Sequence, residues 1–381
     1  MVRRPGPRGP GRPGRLRGAR MTEPDMELAQ DTIDVQPEMP KFTWKSAVNA
    51  LLGMGLAAAL IIWGLPWLAK TTWTEIGVRL QTVGLLPSLG FAALMLAGLW
   101  IYTFTLTASW PGITHTRAAI VNVTGSAVAN TMPGGGATAL AASWVILRSW
   151  GFKRRAISTG LIVSGVWNVL ARIALPLLGI VLVSRNKHDL PPAVSNGAWW
   201  GGVAGLLLLV GFIVALTSPV RTRKLGSWLD RRVSPLIARV RKGRQPRLEH
   251  LLVDQQSRMS ALTRRGWFPM TLGVVGQLLI WFVLFWQIMR AVGVDLPVTD
   301  LFAAYAIGSL LRAVGITPGG LGVAEAGIIL VLGSWGADHT SAAAGALLYA
   351  IFTNVAEIPL GALGWLAWWM GPKAAHAAED D

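Results

Sequence analysis

The chain has 381 residues, of which 52% are apolar and only 14% charged, yet its net charge is +16. Sparse, one-sided charge on so apolar a chain excludes a soluble nucleic-acid binder, whose surface is charged throughout, and points to a polytopic helical membrane protein with basic loops. The absence of cysteine excludes disulfides, thiolate metal sites and cysteine nucleophiles, and the five histidines (115, 188, 250, 339 and 376) all fall outside the apolar segments.

In chain order, seven arginines among proline and glycine fill residues 1–20, and an acidic stretch runs from Glu23 to Glu38. Nothing there builds a core, so 1–40 reads as a disordered arm. It lacks the short apolar run of a cleaved signal peptide. Residues 1–20 are either a miscalled start ahead of Met21 or an arm attracted to anionic lipid.

A membrane domain follows over 41–372, with a short tail at 373–381. Six stretches reach the roughly 20 apolar residues that span a bilayer: 47–69, 85–108, 157–184, 198–218, 266–289 and 341–370. Tryptophans 44, 67, 110, 199, 200, 267, 368 and 369 lie near segment ends, where an interfacial aromatic belt forms. Two further apolar regions, 118–148 and 301–335, are pairs of short arms broken at Pro133-Gly134-Gly135-Gly136 and at Pro318-Gly319-Gly320-Leu321-Gly322. The arm Ala118–Met132 is about 22 Å long as a helix, short for a crossing, so both regions read as re-entrant hairpins. With a cytoplasmic N-terminus, 28 of the 35 Lys and Arg lie inside, five outside, and Arg172 and Arg312 within the membrane. The C-terminus is then cytoplasmic too. The inside loop 219–265 carries 13 of the basic residues. Its apolar stripes (Leu225, Trp228, Leu229, Val233, Leu236, Ile237, Val240, then Leu248, Leu251, Leu252, Met259, Leu262) read as amphipathic helices on the anionic cytoplasmic leaflet.

Shifted by 185 residues, the first hairpin falls on the second without a gap, Pro133-Gly134-Gly135 on Pro318-Gly319-Gly320. The halves, about 47–184 and 198–370, each read span, span, hairpin, span. Three spans separate the hairpins, so the second half is inverted in the membrane, as in many secondary transporters. The expected fold is all-α: six spanning helices plus two re-entrant Pro-Gly-Gly hairpins in an inverted repeat.

Proline ends each entering arm and the glycines admit positive φ. The leaving arms then begin near Gly136 and Gly322 with exposed N–H groups, where a phosphate or carboxylate binds, or else the turns merely pack. Arg172, Arg312, Glu325 and Glu357 lie in apolar segments, where an unpaired charge is costly; Arg172 and Glu357 stand 185 residues apart. Either the arginines meet an anionic head group while the glutamates balance them or exchange a proton, or the four make structural ion pairs. Arg148 is an interfacial anchor, Asn122, Asn130, Asn168 and Asn354 join helices, and Pro176 and Pro359 kink or break the long third spans.

Asn-Thr-Met-Pro133-Gly-Gly-Gly with Leu-Arg148-Ser-Trp-Gly, and Pro318-Gly-Gly-Leu-Gly-Val-Ala-Glu325, resemble the two signatures of the flippase-like transmembrane family. That family includes UPF0104-type proteins and the membrane region of lysylphosphatidylglycerol synthases, the multiple peptide resistance factors. The resemblance covers about 45–370. It implies a bacterial or archaeal plasma-membrane protein moving lipids between leaflets, with the two turns and Glu325 central. No aminoacyl-transferase domain follows before Asp381, so lipid lysinylation is not expected.

The expected activity is therefore translocation of an anionic or aminoacylated phospholipid or a lipid-linked precursor. The alternatives are a proton-coupled carrier of a small polar solute and a non-transporting envelope scaffold. An enzyme is not expected, for the chain has no metal cluster, nucleophile–base pair or nucleotide loop, and Gly134–Gly136 lacks the Gly-Lys-Ser/Thr ending of a P-loop. No cofactor and no nucleic acid are expected. The expected substrate-contacting residues are Pro133, Gly134, Gly135, Gly136, Arg172, Arg312, Pro318, Gly319, Gly320, Gly322, Glu325 and Glu357, and the expected partners are phospholipids and the anionic cytoplasmic leaflet.

Overall fold

The computed structural model describes residues 58–132, 135–185, 248–313 and 317–374, with the single positions 55, 207 and 211. Among them the chain is helical, without a strand. A π turn, Leu60–Gly64, runs into α1, Leu65–Ala69. Then come α2, Trp73–Gln81; α3, Leu85–Ile101; α4, Thr103–Ser109; α5, His115–Thr131; α6, Gly135–Ser149; and α7, Arg154–Arg185. The second half has α8, Leu248–Ala291; α9, Val298–Ala313; α10, Val323–Ser334; α11, His339–Ala350; and α12, Glu357–Met370. A π turn, Ile351–Val355, joins the last two.

Local chemistry sets these boundaries. Thr72 caps α2 by accepting the Glu75 N–H at 3.3 Å, while the Glu75 carboxylate accepts the Thr72 N–H at 2.9 Å, a capping box. Asp338 caps α11 by accepting the Ser341 N–H at 2.9 Å. Gly84, at φ 71°, ends the turn before α3.

Four segments are long and apolar enough to cross a membrane: Leu85–Ser109, Arg154–Leu175, Gln255–Ala291 and His339–Met370. Only 22–39% of their most apolar stretches is buried inside the protein, and Leu89, Leu96, Leu279 and Leu363 are exposed, as apolar side chains facing lipid are. These are four of the six expected spans. Of the stretch 47–69, the part from 58 is the first π turn and α1; 198–218 lies outside the described residues apart from 207 and 211, as do the arm 1–40, loop residues 219–247 and the tail beyond 374. The later part of the expected surface loop is different in kind. Residues 248–265 are the start of α8, a 44-residue helix about 66 Å long. No glycine or proline lies between 248 and 265 to stop it, and the Thr159 hydroxyl bonds to the Gln255 side chain at 3.3 Å, so this part runs beside α7.

The tryptophan expectation divides. Trp67, Trp267 and Trp369 are exposed, as an interfacial belt requires, but Trp110 is 2% exposed. Its indole N–H donates to the Ile157 carbonyl at 3.4 Å, in a space left open by Gly160. Trp44, Trp199 and Trp200 lie outside the described residues. Pro359 falls in the first turn of α12, just after the helix is broken by the π turn; α7 continues through Pro176 without a break.

Contacts sort the loops to two ends. At one end the Ala374 N–H donates to the Ser149 carbonyl at 3.0 Å, the Trp368 indole to the Ser149 hydroxyl at 2.8 Å, and Arg117 lies over the Trp150 ring at 5.2 Å. At the other, Thr340 bonds to Thr71 at 3.0 Å, Arg79 approaches Asp338 at 3.9 Å, and Arg290 pairs with Asp295. Units α5–α6 and α9–α10 start from opposite ends, each with its arms packed together. Their bounds are close to the expected 118–148 and 301–335. A 185-residue shift carries α7, Arg154–Arg185, onto His339–Met370 residue for residue at both termini. The packing obeys the same shift: α5 lies along α12, and α9 along α7. Gly361 and Gly364 let α12 approach α5 at Val123, Thr124 and Ala127, the close contact of small residues common between membrane helices.

The second end carries an acid-sensitive lock. Hydrogen bonds from Thr71 and Thr72 hold the Glu75 carboxyl below the usual carboxylate range, and bonding from the Ser341 N–H and hydroxyl, aided by Arg79, does the same for Asp338. A depressed folded-state pKa contributes stability above the unfolded value and loses it as pH falls through the folded one. Amide exchange of α2 and the start of α11 is therefore expected to accelerate only below the ordinary carboxylate range, and the other end to stay protected.

Candidate functional site

The site grows from the second broken unit. Gly319, Gly320 and Gly322 hold φ of 62°, 70° and 86°, a run of left-handed residues open only to glycine at low cost. The Gly320 N–H donates to the Thr317 carbonyl at 2.9 Å, and the Thr317 hydroxyl to the Leu321 carbonyl at 2.7 Å. This knot ends α9 just past Arg312 and launches α10 just before Glu325.

Arg312 and Glu325 therefore face each other across the turn. Their side chains are 13% and 2% exposed, with nitrogen and oxygen 3.6 Å apart. Arg312 also donates to the Thr353 hydroxyl at 3.2 Å and lies over the Tyr349 ring at 5.1 Å, a cation–π contact. The other Glu325 oxygen accepts the Gly322 N–H at 2.6 Å. The amide expected to be free for an anion at this terminus is thus held by the chain's own carboxylate.

Glu357 opens α12 and is 2% exposed. One oxygen accepts from Asn130 of α5 at 3.1 Å, and Ser126 of α5 lies beside the same carboxyl. The other oxygen has no hydrogen-bond partner among the described residues. Asn130 also donates to the Asn354 carbonyl at 3.3 Å. A β-carbon on Gly319 would meet the side-chain oxygens of Asn130 and Asn354 at 2.8 and 3.0 Å. The far end of α5 thus meets the second glycine turn, although their units start from opposite ends. The π turn puts Thr353 and Asn354, both buried, on this centre.

Arg172, on α7, is half-buried. Among the described residues it makes no hydrogen bond or ion pair, yet its charge reaches Tyr102, Tyr305, Tyr349 and Glu357. Around it, the Asn168 amide donates to the Tyr102 hydroxyl at 2.5 Å, and the Tyr305 hydroxyl donates to the Leu278 carbonyl at 2.9 Å.

Of the expected residues, the structure brings together Arg172, Arg312, Gly319, Gly320, Gly322, Glu325 and Glu357, beside the turn that begins at Pro318. The first turn is described only from Gly135 onward. Pro133 and Gly134 lie outside the described residues. Gly135 begins α6 tight against the Ala129 backbone, and Gly136 has open space where a β-carbon would go. Residues that sequence reasoning passed over are Tyr349, Thr353, Tyr102 and Tyr305. The chain has three tyrosines, and all three surround the two arginines. Tyrosines inside apolar segments rather than at their ends were the available signal.

The family model for the transmembrane region of lysylphosphatidylglycerol synthases matches residues 50–361. A UPF0104 membrane protein of Methanocaldococcus jannaschii is 23% identical over 203 residues, 52% of this chain and 76% of that protein.

Proposed function

The chain belongs to the lysylphosphatidylglycerol synthase transmembrane-region family, and from that premise we propose that it moves an anionic or aminoacylated phospholipid, or a lipid-linked precursor, between leaflets. The observation that carries the reading is Arg172: a half-buried guanidinium at depth in a membrane protein, without a bonded partner among the described residues. An intramembrane charge is a functional candidate by default, and a phosphate head group is the natural partner of arginine.

In this reading the two broken units are re-entrant hairpins of an inverted repeat, and six helices span the membrane. The matched pairings of α5 with α12 and α9 with α7 support the repeat. The end holding Arg117, Arg148, Arg154, Arg258 and Lys373 is cytoplasmic by the positive-inside rule, with both termini there, in a plasma membrane. The protein is a carrier and performs no covalent step; the anionic inner leaflet is its surrounding partner.

The test is head-group movement in liposomes reconstituted with the full chain and labelled lipids. Movement above empty vesicles is expected for anionic or aminoacylated head groups. Arg172→Gln is expected to weaken lipid binding roughly ten- to a hundredfold, the value of one charge-assisted contact of about 1.5–3 kcal/mol, while leaving thermal stability nearly unchanged. Movement equal to empty vesicles across all these head groups would sink the reading.

A further inference from the structure

The four charges of the site are unequally placed. Arg312 and Glu325 are already a pair, and Glu325 is further held by the Gly322 N–H at 2.6 Å. Glu357 has no such partner, and one of its buried oxygens lacks any hydrogen bond among the described residues. Facing it are Asn130 and Ser126 from α5, Arg172 from α7, Arg312 from the end of α9, and Tyr349 from α11. Glu325 of α10 is turned toward Arg312.

Charge bookkeeping then constrains what this centre can hold. With Arg172, Arg312, Glu325 and Glu357 ionised, the empty centre is neutral. A phosphodiester anion arriving alone makes it negative, and a cation alone makes it positive. A net charge in a low-dielectric interior is expensive; only the two together restore neutrality. We propose that Glu357 takes up one monovalent cation, a proton or Na+, each time an anionic head group settles between Arg172 and Arg312. This rests on the lipid-translocation reading and adds its coupling.

The position suits a cation. The open Glu357 oxygen belongs to the carboxyl that Asn130 also holds, and the side-chain oxygens of Asn130 and Asn354 converge on the Gly319 turn. Asn130 lies at the C-terminal, partially negative end of α5. A proton would reside on the unbonded Glu357 oxygen. Na+ would take that oxygen with the two asparagine oxygens. Either one cancels the same charge, and linkage makes the effect reciprocal: the cation tightens lipid binding by the factor by which lipid tightens cation binding.

The experiment titrates the full-length protein in non-ionic detergent with dihexanoylphosphatidylglycerol, following intrinsic tryptophan fluorescence. One series varies pH with choline in place of sodium. A second varies Na+ at fixed pH and constant ionic strength. Coupling to a proton predicts affinity rising about tenfold for each unit fall in pH, above the pH at which the site is already protonated. Coupling to Na+ predicts about tenfold per decade of Na+ instead. Glu357→Gln is expected to bind the lipid with both slopes flattened. If Glu357→Gln does not fold, the wild-type slopes decide. Lipid binding with no slope in either series overturns the coupling and leaves the translocation reading standing. A slope that survives in folded Glu357→Gln also overturns it. No lipid binding at all overturns both.

Discussion

Arg312→Leu is expected to abolish lipid movement and to destabilise the protein by about 3 kcal/mol, the low end of the cost of breaking a buried ion pair. The low end applies because the pair is loose. Its closest approach is 3.6 Å, beyond hydrogen-bond range, and the Glu325 oxygen concerned makes no hydrogen bond among the described residues. Most of the loss comes from the carboxylate left behind: Glu325 is 1% exposed and would face apolar surroundings with one backbone amide for company. The cation–π contact with Tyr349 and the bond to Thr353 go as well. Removing both partners should therefore restore most of the stability, since an apolar pair of similar volume replaces a buried ionic one at little cost. Unfolding in detergent should show Arg312→Leu well below wild type and Arg312→Leu/Glu325→Leu close to it. Lipid movement should be absent from both. That split is decisive. Were the pair only a structural tie, the double variant would regain movement along with stability.

The breaks in the helices were legible because they are written in proline and glycine. The arms end within three residues of the expected bounds in both units, and the turn at Gly319, Gly320 and Gly322 has the positive φ that such a run allows. Hydropathy alone located the last span. It could not reveal the π turn at Ile351–Val355, because one extra residue per turn leaves the apolar run uninterrupted; only the packing against α5 and the glycine turn fixes it. The charges were legible as a set, for four ionisable residues stand out in apolar segments. Their pairing was not. Arg172 and Glu357 are equivalent under the 185-residue shift, which invites a symmetric pair, whereas Arg312 meets Glu325 because both flank one turn. The surface helix expected over 248–265 illustrates the opposite failure. A stripe read as amphipathic is equally the flank of a long helix when no glycine or proline interrupts it, as at 248–265.

The two glycine turns look alike in sequence and should behave differently when altered. Gly320→Ala is expected to destabilise by roughly 2–5 kcal/mol and to suppress lipid movement. Part of the cost is conformational: alanine at φ 70° costs about 1–2 kcal/mol. The rest is steric, since the new methyl would stand 2.6 Å from the Arg312 Cγ and 2.8 Å from its Cα. The second neighbour is backbone, so it has no rotamer to escape into, and overpacking of this kind costs about 1–3 kcal/mol. Relief requires the end of α9 to move, and Arg312 moves with it, away from Glu325 and Thr353. Gly136→Ala, in the first turn of α6, is the matched control. Nothing lies within 4 Å of the added carbon, and alanine in a helix gains up to about 1 kcal/mol over glycine. Thermal unfolding in detergent should therefore separate the two variants by several degrees or more, with Gly136→Ala at or above wild type and still moving lipid. Equal losses from the two substitutions would mean that both turns engage their surroundings alike and that the second holds no special relation to Arg312.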